Sequence, residues 1–433
     1  MSEQSFLTHL QEHFDKLPNA DALKPFRQKG FQRMVNLGLP VKSHEAFRYV
    51  SLRELYLASF DFSNETSLDK SLVEGAILPE CKHSHLIFVD GHFSPALSDV
   101  SALPPQLVVL PLEQAFSSHA SFLQNQLMRS LKDEKDPFAL LNISLHGKGV
   151  FFYLPPKIEA SVPVQCLHVV TGSNPRFVAS RLNIVLGAQS KMRWIASYHS
   201  LHSDVSHLMT PATEISLDEG ASLNWLNVLD AMPAGWHLES VRAVLKKNAR
   251  LDAFSVTTGA KANRQSYRVE LKGENSEANL NGLWMLSKNR TAHTHAIVEH
   301  EAPHTRSMQL FKGVLNDVSQ SSFEGKILVR PEAQKTEAYQ LNNNLILSQG
   351  ALAYSKPNLE VFADDVKASH GATVSQLDDE QLFYLSTRGI GEIEARKLLI
   401  GGFCREMIER IPYPSLLHMM QKHIQNFVYS GDL

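Results

Sequence analysis

The chain is poor in cysteine: Cys81, Cys166 and Cys404 are the 3 thiols in 433 residues. They lie far apart and form no C-x-x-C pair, which excludes a disulfide framework and any four-cysteine metal centre built from this chain alone. No sign of charge dominates. The 42 Lys+Arg against 45 Asp+Glu leave a formal net charge of -3, so no global field draws the chain to nucleic acid or to anionic lipid. Long apolar runs are missing as well. The opening MSEQSFLTHLQEHFDKL breaks its apolar residues with Glu3, His9, Glu12 and Asp15, which leaves no signal-peptide core. No later stretch approaches the ~20 apolar residues of a membrane span, so a cytoplasmic location is expected. The short motifs G-x-x-x-x-G-K-[ST], G-x-S-x-G and H-E-x-x-H are absent, against a kinase or hydrolase. LHGKGVF (Leu145 to Phe151) lacks the first glycine and the hydroxyl of a P-loop and reads as a turn before a strand. No acids recur on one face beside an aromatic cleft, against a β-helix enzyme acting on polysaccharide.

What is present is a folded chain, 43% hydrophobic and long enough for two or three domains or one extended solenoid. Phe6, Leu10 and Phe14 share a helical face, and a second helix through Phe26 and Met34 stops at Gly38 and Pro40, with Gly38 as a left-handed C-cap. Short apolar runs from His85 to Leu112 suggest a small mixed α/β region, and a helix is expected over His119 to Leu131. Period-2 alternation then recurs with constant punctuation: Leu182, Ile184, Leu186 before Gly187; Ile215, Leu217 before Gly220; Val241, Ala243, Leu245 before Asn248; Tyr267, Val269, Leu271 before Gly273. Ala221, Ala249 and Ala278 return at similar intervals, the mark of a stacked repeat. A β-helix closes such units most simply. An antiparallel sandwich gives the same alternation, and periodicity alone leaves both open. After Ser375 the chain is helical again: Asp378 and Gln381 form an N-terminal cap, Ile393, Leu398, Ile400 and Met407 mark a second helix, and Leu416, Met420 and Ile424 a third. The expected division is 1–150 (helical and small α/β), 151–375 (β core) and 376–433 (helical).

Candidate chemistry is sparse. His293, His295, His300 and His304 crowd with Glu299 and Glu301, and two imidazoles at i and i+2 on a strand could share a metal. The spacing fits no named site, and a polar wet face or loop is the favoured reading. Asn342, Asn343 and Asn344 read as corner asparagines that satisfy backbone groups. Cys404 reads as a buried core thiol. His370, between Ser369 and Gly371 with Asp364, Asp365 and Lys367 close in sequence, has little bulk beside it and could reach a neighbouring chain or a metal.

PNLEVFADDVKASHGATVSQLDDEQLFYLSTRGI (Pro357 to Ile390) resembles the signature of the SufB/SufD family of iron-sulfur cluster assembly proteins, and IEARKLLIGGFCREMIERI continues it. LGLPVKSHEAFRYVSLREL (Leu37 to Leu55) resembles the family's N-terminal motif, and QKTEAYQLNNNLILS (Gln334 to Ser348) its SufD branch. SufB-like chains carry cysteine near the position of Asn342 and glutamate directly after the histidine, where this chain has Gly371. SufD-like chains often have cysteine two residues before the histidine; here it is Ala368. The resemblance implies a mainly β fold with helical ends, its core a right-handed parallel β-helix. It implies a non-enzymatic scaffold that pairs with SufB through that core and binds the SufC ATPase through its C-terminal helices, with Phe383, Tyr384, Arg388 and Phe403 as candidate contacts. A homodimer is expected of the isolated chain. No cofactor is expected on this chain alone. A transient iron or iron-sulfur cluster shared with SufB would meet His370, with Asn342, Asp364, Asp365 and Lys367 at the interface. The other reading is a purely structural stabiliser of SufB.

Overall fold

The computed structural model describes residues 3–17, 22–62, 66–232 and 234–427. Successive strands alternate between two sheets. Trp236–Leu245, Ala262–Leu271, Thr291–His300, Gln320–Val329 and Leu352–Val361 follow one another in the first sheet. Arg250–Thr257, Glu277–Leu286, Arg306–Leu315, Thr336–Ile346 and Val366–Ser375 follow one another in the second. Each pairs with the strand one turn away, parallel and in unbroken register. Parallel pairing between turns excludes the antiparallel sandwich: the core is a parallel β-solenoid of about 8 turns.

One corner explains the punctuation. Gln189, Gly220, Asn248, Asn275, His304 and Lys335 all have φ between 56° and 67°, which turns the chain sharply at one residue. Asparagine tolerates this conformation best after glycine. Behind them sit Ser190, Ala221, Ala249, Ser276, Thr305 and Thr336, all 0% exposed. The hydroxyls of Ser190, Ser276, Thr305 and Thr336 donate back to the carbonyl three residues earlier, at 2.7 to 3.0 Å, so at these four corners the buried hydroxyl is satisfied without water. The repeat of alanines is therefore a repeat of small residues. Ala278 is not in phase with it; Ala278 pairs with Leu251, and Ser276 holds the corner. At Gly273 a Cβ would overlap the backbone of Lys246 and Lys247 in the turn below. Gly273→Ala is expected to lower stability by ~1–3 kcal/mol through overpacking, read as a lower urea midpoint; an unchanged midpoint would show that the corner relaxes.

Inside, the alternation buries one residue in two. Trp194 and Trp225 stack at 6.1 Å, and Trp284, Phe311 and Phe323 continue at 5.9 and 5.0 Å. The N-terminal helices are α1 (Glu3–Asp15), α2 (Lys24–Leu37), α3 (Arg53–Leu57), α4 (Leu112–Ser118), α5 (Ala120–Asp133) and α6 (Pro137–Leu145). Every residue of α6 is buried. Two ion pairs fasten this layer to the first sheet, Arg242 with Glu134 and Arg264 with Asp136; a third, Arg181 with Glu214, lies within the sheet and is tied to the helices through Asn142 and Ser130. Gly38 follows α2 with φ 74° but ψ 168°, so it ends the helix in an extended rather than left-handed helical conformation. The short strands of the small mixed α/β region pair with solenoid strands: His85–Val89 in parallel with Val164–Val170, and Val108–Pro111 antiparallel with Val150–Leu154.

The C-terminal helices are α7 (Asp379–Thr387), α8 (Glu392–Ile408) and α9 (Pro414–Phe427). Asp378 caps α7, accepting from the N–H groups of Glu380 (2.8 Å) and Gln381 (3.3 Å). Cys404, Met407, Leu416 and Met420 of α8 and α9 pack on Ile195, Leu226, Met285 and Leu310 of the second sheet. Lys312 of that sheet reaches the carbonyl of Phe403 at 3.2 Å and Glu406 at 2.8 Å. Ile393 and Leu398 do not share this packing and remain exposed. Among the described residues no helix is long and apolar enough to cross a membrane.

The open end of the solenoid

Leu352–Val361 and Val366–Ser375 are the last strands of their sheets, each hydrogen-bonded along one edge. Neither contains a fully buried residue. The two free edges leave backbone donors and acceptors unpaired, a surface that another chain can extend.

His370 lies on the final rung. In the parallel register it stands beside Gln340, which stands beside Gln309. In-register neighbours point to the same side of a sheet, and Gln309 and Gln340 are interior residues at 0% and 3% exposure. His370 thus belongs to the inward-facing column and is exposed because no further turn covers it. Gly371 and Ala372 beside it add almost no bulk. The other candidates fall into separate groups. Asp365 and Lys367 line a groove of about 470 Å³ with His304, Arg306, Lys335 and Glu337, where Lys367 reaches Glu337 at 3.5 Å. Asp364 is exposed at the same corner.

Asn342 is not at a corner. Asn342 and Asn344 face the interior of Thr336–Ile346 at 0% exposure, Asn344 donating to Asn342 at 2.8 Å and Asn342 to the carbonyl of Phe311 at 3.2 Å. The corner role read from the triplet is thereby corrected, since strand alternation had placed two of the three inside. Asn342 lies one turn beneath the open end, paired with Ala372.

The histidine-rich segment does not converge either. His293 and His295 point outward beneath the N-terminal helices, and His293 shares a hydrogen bond of 2.8 Å with Ser322. Burial, with Arg264 nearby, lowers their pKa values to about 3 and about 4, so both are neutral. His300 points inward, its two ring nitrogens within 2.8 and 2.9 Å of Thr305 and Ser307, and His304 turns the corner. The wet-face reading is corrected for His293 and His300, which are buried. Among the described residues no group of three or more His, Cys, Asp or Glu is placed to hold a metal ion.

All three thiols are buried at 0% exposure. Burial pushes Cys81 and Cys404 up to about 12 and Cys166 higher still, so none is a thiolate at neutral pH. Cys404 is the core thiol expected.

α7 is the opposite case: it has no buried residue, and Phe383 and Tyr384 are 71% and 56% exposed. The Arg388 guanidinium lies 5.2 Å from the Tyr384 ring centroid. Phe403 is half-buried under Lys312, whose ammonium lies 5.1 Å from its ring, so Phe403 belongs to the packing of α8. Sequence reading missed Gln309 and Gln340; their signal was polarity at the inward phase of strands, two residues from Phe311 and Asn342.

Fold and site define a β-solenoid protein whose distinctive side chains gather at an uncapped end and on an unpartnered helix. Residues 168–403 match the model of the SufBD core domain of the SUF system for FeS cluster assembly, and residues 1–166 match that of the SufBD protein N-terminal region. The chain is 30% identical over 401 residues to an iron-sulfur cluster assembly SufBD family protein of Synechocystis, covering 90% of this chain and 88% of that one. It is 29% identical over 395 residues to the iron-sulfur cluster assembly protein SufD of Escherichia coli, covering 89% of each. It is also 23% identical over 424 residues to the chloroplastic protein ABCI7 of Arabidopsis thaliana, covering 94% of this chain and 86% of that one. The chain belongs to the SufBD family of iron-sulfur cluster assembly proteins.

Proposed function

We propose that this chain serves as the SufD-type half of a two-chain scaffold. It pairs with a SufB-type chain through the open end, binds a SufC-type ATPase through α7 and α8, and offers His370 to iron or to a nascent cluster held between the two chains. The observation that carries this reading is the uncapped end, where two free strand edges flank the one exposed histidine of the interior column. Iron and sulfide are cargo here, and the chain itself contributes no catalytic group. Neutral imidazole is a competent iron ligand, and with every thiol buried the remaining ligands come from the partner. In isolation the same free edges favour a homodimer. A purely structural role as a stabiliser is the second reading, favoured by Ala368, which leaves no thiol near His370.

The exposed aromatics of α7 have no packing role in the chain, which fits an anchor for the ATPase. Replacing Phe383 and Tyr384 together by alanine is expected to weaken its binding about 30-fold or more, the effect of losing a ~2 kcal/mol hot spot, while pairing with the SufB-type chain persists. Co-purification of the three chains measures both at once. Undiminished ATPase recovery would remove α7 from the interface.

A further inference from the structure

Two amides beneath His370 lack partners. Neither the oxygen nor the nitrogen of the Gln309 and Gln340 side chains makes a hydrogen bond, and all four atoms are buried. Leaving such groups unpaired is among the more costly features of a protein interior. Their polar neighbours are satisfied, as the bonds of Asn342 and Asn344 show. Room has been left for them as well: a Cβ at Gly325 would lie 2.5 Å from the Phe323 ring and 3.0 Å from Oε1 of Gln309.

Gln309, Gln340 and His370 are consecutive rungs of one column. Neighbouring rungs stand about 4.8 Å apart, so stacked side-chain amides can link N–H to O=C along the column as in an amide ladder. The last torsion of glutamine is broad and soft, so the alignment requires little.

We propose that Gln340 is a positioning residue for His370. Its side-chain carbonyl accepts the imidazole N–H, directly or through one water, and holds the ring in one tautomer with the other nitrogen's lone pair turned out of the open end. Gln309 in turn accepts from the Gln340 amide N–H. Chemistry fixes this direction. Were Gln340 to donate to the ring, the outward nitrogen would carry the proton and have no lone pair for a metal. The inference rests on His370 being the residue that meets iron, yet the tautomer is a property of the chain alone and is read without metal.

The test is nitrogen NMR of the full chain labelled at histidine, at a pH where the ring is neutral, with His370→Ala to assign the signals. In wild type, one His370 nitrogen is expected to be pyrrole-like and the other pyridine-like. Gln340→Met, close in volume, is expected to bring both shifts to the averaged values of free imidazole, and Gln309→Met to produce a smaller change in the same direction. Free-imidazole values in wild type overturn the proposal with no variant needed. So do equal shifts in wild type and Gln340→Met, or a larger effect from Gln309→Met. A fixed tautomer in wild type that is lost in Gln340→Met supports it, even where His370→Ala leaves cluster formation intact and removes the metal role. Loss of clusters in His370→Ala with no tautomer preference keeps the metal role and removes Gln340 from it.

Discussion

His370→Ala is expected to abolish cluster formation on the reconstituted three-component complex while leaving the complex assembled. The imidazole lies on the last rung of the interior column, exposed and flanked by small residues. Truncating an exposed side chain of this kind changes stability by no more than about 0.5 kcal/mol, so loss of function would not be loss of fold. The remaining candidates are poor substitutes. Cys81, Cys166 and Cys404 are buried and protonated, and Lys367 is turned to Glu337. Anaerobic reconstitution, with iron counting and absorption spectra of wild type and variant, measures the effect. A normal cluster yield in the variant would sink the metal role and leave the stabiliser reading.

The largest stability effect is expected at Arg181. Its side chain is 1% exposed and bonds Glu214 at 2.9 Å and Asn142 of α6 at 3.1 Å. Glu214 also accepts from Ser130 of α5 at 2.7 Å. Burial pulls the Arg181 pKa down and the Glu214 carboxylate supports it; the pair is stable because each charge answers the other. Arg181→Met keeps the bulk and leaves Glu214, itself 7% exposed, as a buried carboxylate without its hydrogen-bonded counter-charge, only the non-bonded Arg242 remaining near it. The expected loss is ~3–5 kcal/mol, concentrated where α5 and α6 meet the first sheet. It should register as an early unfolding transition and as faster proteolysis of the N-terminal helices. Superimposable melting curves would show that Glu214 finds another partner or takes up a proton at little cost.

The repeat was legible because strand alternation and corner punctuation are both local. Its phase was less so. Ala278 looked like the successor of Ala249, whereas Ser276 is, because the corner selects for size and a hydroxyl that folds back serves as well as a methyl. The choice between solenoid and sandwich depended on which strand pairs with which, and no local pattern records that. The asparagines at 342–344 and the histidines of Thr291–His300 were misjudged for one reason. In both segments the strand phase buries polar side chains that then find partners, Asn342 at the Phe311 carbonyl one turn away and His300 at Thr305 and Ser307 just along the chain, and residue type alone does not record that phase. His370 was found through its signature, but its place on the rung above Gln340 came from the register alone.

The corners carry a consequence for the open end. Each turn is held chiefly by the turns on either side, so the stack behaves as a row of coupled units. A unit in the middle has two neighbours and the last has one. The rung that bears His370 is then the first to fray, as the end of a zipper parts before its middle. A partner chain seated there would supply the missing neighbour, and the backbone of the last rung would then open as rarely as that of a rung in the middle of the stack.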